Sequence, residues 1–150
     1  EVDACFVQRR IRACGGEAQV FAADFRQAGS GAALGAEVQA RLGAVDILVL
    51  NASIELHEDL GEVTQAGMAA QVAVNLAEPL ALLQALLPAM RAQGWGRILA
   101  IGSTQQCRPS PRKLVYAATK AAQRNMILGL ARELGPDGIT ANNLAPGVIA

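Results

Sequence analysis

Tyr116 and Lys120 stand four residues apart in the segment YAATK. On a helix that spacing puts both side chains on one face. A lysine ammonium beside a phenol favours the phenolate and lowers the phenol's pKa from about 10. A tyrosine tuned in this way can pass a proton near neutral pH. Alone, the pair reads as readily as an ordinary tyrosine and a solvated lysine at a helix start. Ser103 adds weight. It lies thirteen residues before Tyr116, at the end of the apolar run RILAIG. Its hydroxyl is suited to polarising a substrate oxygen while the tyrosine moves the proton. The plainer alternative is a loop serine.

The surrounding pattern predicts how these residues are held. Apolar positions over residues 2–14 fit a helix that Gly15-Gly16 would end. Residues 18–23 read as a short buried strand, and residues 32–42 as a helix stopped by Gly43. VDILVL, residues 45–50, is a nearly continuous apolar run, as in a parallel strand covered on both faces. Thr64 is a candidate cap for a helix towards Asn75. A second helix is expected over 76–93, kinked at Pro88. Strands at 97–102 and 139–145 flank a long helix at 115–134. The alternation predicts an α/β fold, a doubly wound parallel sheet with helices on both faces. Ligands in such sheets bind beyond the carboxyl ends of the strands, here near Asp24, Asn51, Ser103 and Pro146-Gly147.

With these landmarks in place, the sequence resembles the short-chain dehydrogenases/reductases. The strand, Ser103 and Tyr-x-x-x-Lys are similar to that family's active site. DILVLNAS, residues 46–53, resembles its DILVNNAG, with Leu50 in place of the first asparagine and Ser53 in place of the glycine. NNLAPG, residues 142–147, resembles the segment beside its nicotinamide, and VAVNL carries Asn75 at its catalytic asparagine. The resemblance implies an incomplete Rossmann-like fold and hydride transfer between NAD or NADP and a secondary alcohol or ketone. It implies that Tyr116 is the acid/base, that Lys120 tunes it and binds the nicotinamide ribose, and that Ser103 orients the substrate. Asn75 would sit where a helix is disturbed and hold a water linking Lys120 to solvent. It further implies a cofactor site of Asp24, Phe25, Asn51, Ala52, Tyr116, Lys120, Pro146 and Gly147.

The family's Gly-rich turn and first two strands would precede Glu1, and its last strand would follow Ala150. Residues 1–150 are therefore expected to be the central part of a single NAD(P)-binding catalytic domain. The strands would be the third to sixth of a sheet ordered 3-2-1-4-5-6-7. Residues 18–23 would then lie roughly 14 Å from residues 45–50, with no direct ladder between them. The 150-residue polypeptide alone is expected to be poorly stable, inactive and unable to bind the dinucleotide. The choice between NAD and NADP would rest on a residue upstream of Glu1.

Composition sets outer bounds. The 150 residues carry 13 basic and 13 acidic side chains, which gives no electrostatic footprint for nucleic acid. No unbroken run of about 18 uncharged apolar residues occurs, so no membrane span is expected. Cys5, Cys14 and Cys107 lack metal-site spacing and suit a reduced, cytoplasmic setting. No metal is assigned, and His57 reads as a loop residue. Gln105, Gln106, Arg108, Arg112 and Lys113 border the expected pocket. They are either contacts for a polar or anionic substrate or a solvated cluster. The apolar excess on the two long helices predicts a homo-oligomer, a tetramer by resemblance. The partner is a small-molecule alcohol or carbonyl compound. The alternative function is a catalytically silent relative acting as a binding or regulatory subunit.

Overall fold

The computed structural model describes residues 3–147. Helix α1, Ala4–Ala13, is capped by the Asp3 carboxylate, which accepts from the Cys5 amide at 2.9 Å. Gly15, at φ 81°, turns the chain after it. Helix α2, Ser30–Leu42, leads to strand β1, Ile47–Leu50. Thr64 caps helix α3, Gln65–Val72, by accepting from the Gly67 amide at 3.0 Å. A π-helical turn, Ala73–Ala77, joins α3 to helix α4, Glu78–Gln93. Strand β2, Gly96–Ile101, a short 3-10 turn at Thr104–Gln106, helix α5, Leu114–Leu134, and strand β3, Ile139–Leu144, complete the order. α4 continues as helix through Pro88, since a proline there removes one backbone bond and its neighbours keep theirs.

The three strands form one parallel sheet ordered β1-β2-β3, with Leu48 opposite Ile98 and Ile98 opposite Ala141. Side chains alternate across the pleat. Leu48, Leu50, Ile98, Ala100, Ile139 and Ala141 enter the core, where Leu82, Leu83, Leu86 and Met90 of α4 and Ile127 and Leu134 of α5 meet them.

Three expectations need correction. Residues 18–23 are neither a paired strand nor buried. The absence of a ladder between them and β1 agrees with expectation: among the described residues β1 pairs with β2 alone. β1 is not covered on both faces either. Leu48 and Leu50 are buried, whereas Ile47 and Val49 on the opposite face are 61% and 50% exposed. The described helices pack on one face of the sheet only, so Leu144 is likewise 56% exposed. Finally, residues Gln65–Gln93 form a 29-residue helical stretch long and apolar enough, by length and composition, to cross a bilayer. The sequence criterion demanded an uncharged run, which Glu78 and Arg91 interrupt; such a segment tolerates one or two charges. Here its leucines build the core.

α2 and α4 are locked by an unusual cap. Gly29, at φ 83°, opens α2 and has no side chain to cap it. The buried Glu78 carboxylate does so instead, accepting from Gly29 N at 3.1 Å, Gly31 N at 2.7 Å and Ser30 Oγ at 3.4 Å. Negative charge at a helix N-terminus is favoured by the orphan amides there. The helices cross so closely that a Cβ on Gly31 would lie 2.1 Å from the Glu78 carbonyl oxygen.

Candidate active site

The carboxyl ends of β2 and β3 are tied together by backbone bonds. Gly102 N donates to Leu144 O at 2.7 Å, and Thr104 N donates to Pro146 O at 3.1 Å. Ser103, between them, thus lies beside the Pro146-Gly147 segment. Its hydroxyl accepts from Gln105 N at 3.2 Å, which fixes the 3-10 turn that follows. α5 is pinned to the same place. Lys120 Nζ donates to Ile101 O, the last residue of β2, at 2.8 Å. Tyr116 is one turn earlier on α5, and the ammonium lies 5.8 Å from its ring centroid. Ser103, Tyr116 and Lys120 therefore gather at one end of the sheet.

Lys120 is only 1% exposed, and burial pushes its ammonium below the ordinary lysine value of 10.5. It is charged chemistry in a dry place, with oxygen acceptors rather than a carboxylate for partners.

Asn75 lies in the π-helical turn, a distortion found often at functional sites. It is wholly buried, and its amide works as a clip. Nδ2 donates to Ile54 O at 2.9 Å and to Thr119 Oγ1 at 3.0 Å. Oδ1 accepts from Ile54 N at 2.9 Å and from the Ser53 hydroxyl at 3.1 Å. The loop after β1 is thereby fastened to the first turns of α5. The two departures from the family pattern find explanations here. Leu50 is a core residue, and Ser53 gives its hydroxyl to Asn75.

A neighbouring open cleft of about 870 Å³ is lined by Asp24, Phe25, Ala52, Ser53 and Ile54, with Phe21 and Leu34. The structure thus brings Asp24, Phe25 and Ala52 together. Ser103, Tyr116, Lys120, Asn51 and Pro146 are not among that cleft's walls; the Ser53–Asn75–Thr119 chain connects the two regions. Asp24 holds Arg26 through both carboxylate oxygens at 2.9 Å, and these bonds draw its pKa below the ordinary value.

Two of the three rim cations are paired with acids of this same chain. Arg112 reaches Asp59 at 3.4 Å, and Lys113 reaches Glu55 at 2.7 Å. Glu55 also meets His57. Burial raises the Glu55 pKa, but the bonds from Lys113 and His57 outweigh it and leave the carboxyl below its ordinary value. Gln105 is taken up by Ser110, through Nε2 to Oγ at 2.9 Å and Oε1 from the amide at 2.7 Å. Among the described residues no group of three metal-ligating side chains occurs.

Sequence reasoning missed Thr119, Gln123 and Glu78. The signal for Gln123 was present: a polar residue three positions after Lys120, on a face that continues into Ile127. Glu78 carried none, since its partner is a glycine-rich turn 47 residues back.

Residues 3–150 match the short chain dehydrogenase family. A 117-residue stretch is 37% identical to nodulation protein G of Azospirillum brasilense, covering 78% of this chain and 48% of that protein. Among solved structures, a 3-oxoacyl (acyl-carrier-protein) reductase of Agrobacterium tumefaciens with NADP bound aligns at TM-score 0.93 and 44% identity, over 97% of this chain and 56% of that one. A gluconate 5-dehydrogenase of Burkholderia cenocepacia in complex with NADP and tartrate aligns at TM-score 0.85 and 36% identity, over 96% and 56%. The chain spans about half the length of the relatives it matches. On sequence and on fold, this chain belongs to the short-chain dehydrogenase family.

Proposed function

We propose that the native protein carrying these residues is an oxidoreductase that moves a hydride between NAD or NADP and a secondary alcohol or ketone. The observation that carries this reading is the Lys120 ammonium, buried, pinned to the end of β2 and 5.8 Å from the Tyr116 ring. The same ammonium that ties α5 to the strand end thus sits beside the tyrosine whose proton would move. In oxidation Tyr116 takes the hydroxyl proton; in reduction it returns it. Ser103, at the strand end, donates to the substrate oxygen. Asn75 holds the β1 loop against α5 so that the parts keep their spacing.

The residues present suit a dinucleotide. The cleft offers aromatic walls at Phe21 and Phe25 and a carboxylate at Asp24, fit for an adenosine moiety. Two structurally similar proteins are described with NADP bound. The dinucleotide supplies the hydride; the protein supplies position and charge. Asn51, Pro146 and Gly147 would border it at the strand ends.

The test is turnover by the native protein on a panel of secondary alcohols and ketones with each dinucleotide. Tyr116→Phe should lose at least about 10²–10⁴-fold in turnover while dinucleotide binding is kept. A variant that keeps most of its turnover would defeat the assignment.

A further inference from the structure

Resting on that reading, we infer that Gln123 is a positioning residue for proton transfer, its side-chain amide bridging the Lys120 ammonium to the backbone carbonyl of Asn75. Lys120 Nζ donates to Gln123 Oε1 at 3.4 Å, and Gln123 Nε2 donates to Asn75 O at 3.3 Å. The orientation of the amide is forced by chemistry. An ammonium can only donate and a carbonyl can only accept, so the oxygen must face the lysine and the nitrogen the π-helical turn. Gln123 is 1% exposed, Lys120 1% and Asn75 0%, so the bridge is closed to bulk water.

The bridge has a consequence for Lys120. The ammonium has two recorded protein acceptors, Ile101 O and Gln123 Oε1. An acceptor that faces a buried cation stabilises its charged form far more than in water. Gln123 also engages the Asn75 carbonyl, within the π-helical turn. The catalytic helix is thus held to the π-helical turn from two sides, by Thr119 above and by Gln123 below.

Among the described residues, no charged neighbour shifts Lys120. α3, β3 and the 3-10 turn at Thr104–Gln106 carry no titratable residue. On α4, Glu78 is engaged by the start of α2 and Arg91 by Glu133 and Asp137; on β2, Arg97 donates to the Gly96 and Gly138 carbonyls; on the loop after β1, Glu55 is engaged by Lys113 and His57. On α5 itself Tyr116 lies beside the ammonium, and Arg124, one turn further on, is exposed. Burial lowers the lysine's pKa and no charged neighbour offsets it, so its neutral acceptors are what hold the ammonium in place, and removal of one should register.

The experiment is the pH profile of alcohol oxidation by the native protein and by its Gln123→Met variant. The acidic limb should move to higher pH by about one unit, with turnover below the limb falling about tenfold and the dinucleotide KM nearly unchanged. A purely structural glutamine would lower the melting temperature and leave the limb in place, and that result overturns the inference. Should Gln123→Met not fold, the wild-type side-chain amide of Gln123 can be followed by NMR against pH. Its signals should titrate with the kinetic limb; signals that ignore that limb overturn the inference. Tyr116→Phe, run alongside, separates the two levels. Loss of turnover there with an unmoved limb in Gln123→Met overturns the role of Gln123 alone. Turnover retained in Tyr116→Phe overturns the underlying reading.

Discussion

α1 and α4 are both regular helices, but α1 buries none of its ten residues while α4 buries six of its sixteen. α1 has a sound N-cap at Asp3 and basic residues in its last turn, so its local signals are good. Its apolar residues Phe6, Val7 and Ile11 nevertheless stay 40–47% exposed. The segment after it joins no strand of the sheet and is tied back through Ala18 O, which accepts from Gln8 Nε2 at 2.9 Å and Arg12 Nη2 at 3.0 Å. α4 has no side-chain cap and a proline inside, and it is the centre of the core. Local chemistry decides that a helix forms. Whether it matters to stability is decided by what lies against it.

The sharpest test of this contrast is Leu83→Ala in α4. Leu83 is 1% exposed in the main cluster, so its truncation should cost about 2–5 kcal/mol in denaturant unfolding. A cost near zero would mean the core is not where α4 meets the sheet.

Next comes Lys120→Met. The native pKa of Lys120 lies below its ordinary 10.5. Between the two values the unfolded chain holds a proton that the native state has released. Stability from this group is therefore fully present above 10.5 and is lost as pH falls through the lower native value. Lys120→Met should raise the melting temperature at neutral pH and flatten that alkaline rise, while abolishing turnover. An alkaline rise that persists in the variant would assign it to another group. The arginines of α1, by contrast, are exposed.

The smallest effect is predicted for Ile11→Ala in α1, within about 0.5 kcal/mol of wild type by denaturant unfolding. A cost approaching that of Leu83→Ala would show that α1 is packed against a surface in the native protein, and the contrast would dissolve.

The same contrast explains what the sequence made legible. Periodicity found α1, α2, α4, α5 and all three paired strands, because apolar repeats report the face a segment can bury. It over-read residues 18–23 as a buried strand, since an apolar run does not say what covers it; the missing ladder to β1 agrees with the strand order that the resemblance implies. It over-read VDILVL for the same reason: Ile47 and Val49 have the composition of a covered strand without the cover. Within the site, Ser103, Tyr116 and Lys120 announced themselves by type and spacing. The clip made by Asn75, Ser53 and Thr119 did not, because it joins residues 22 and 44 positions apart whose side chains are individually ordinary. The rim cations illustrate the converse. Arg112 and Lys113 invited an anionic ligand, and the fold answers them with Asp59 and Glu55.

The cap on α2 bears on how the chain reaches this state. A helix normally nucleates from signals a few residues away, but α2 takes its start from Glu78, 47 to 49 positions downstream. Its first turn gains its stabilising carboxylate only when α4 has docked, and Gly31 lets the two axes approach only if the backbone of Glu78 is already in place. The loop that must close to bring them together carries its entropy cost before either contact repays it. α2 is therefore expected to order after α4 has docked, and the loop at residues 24–29 that borders the large cleft to take its shape at that step.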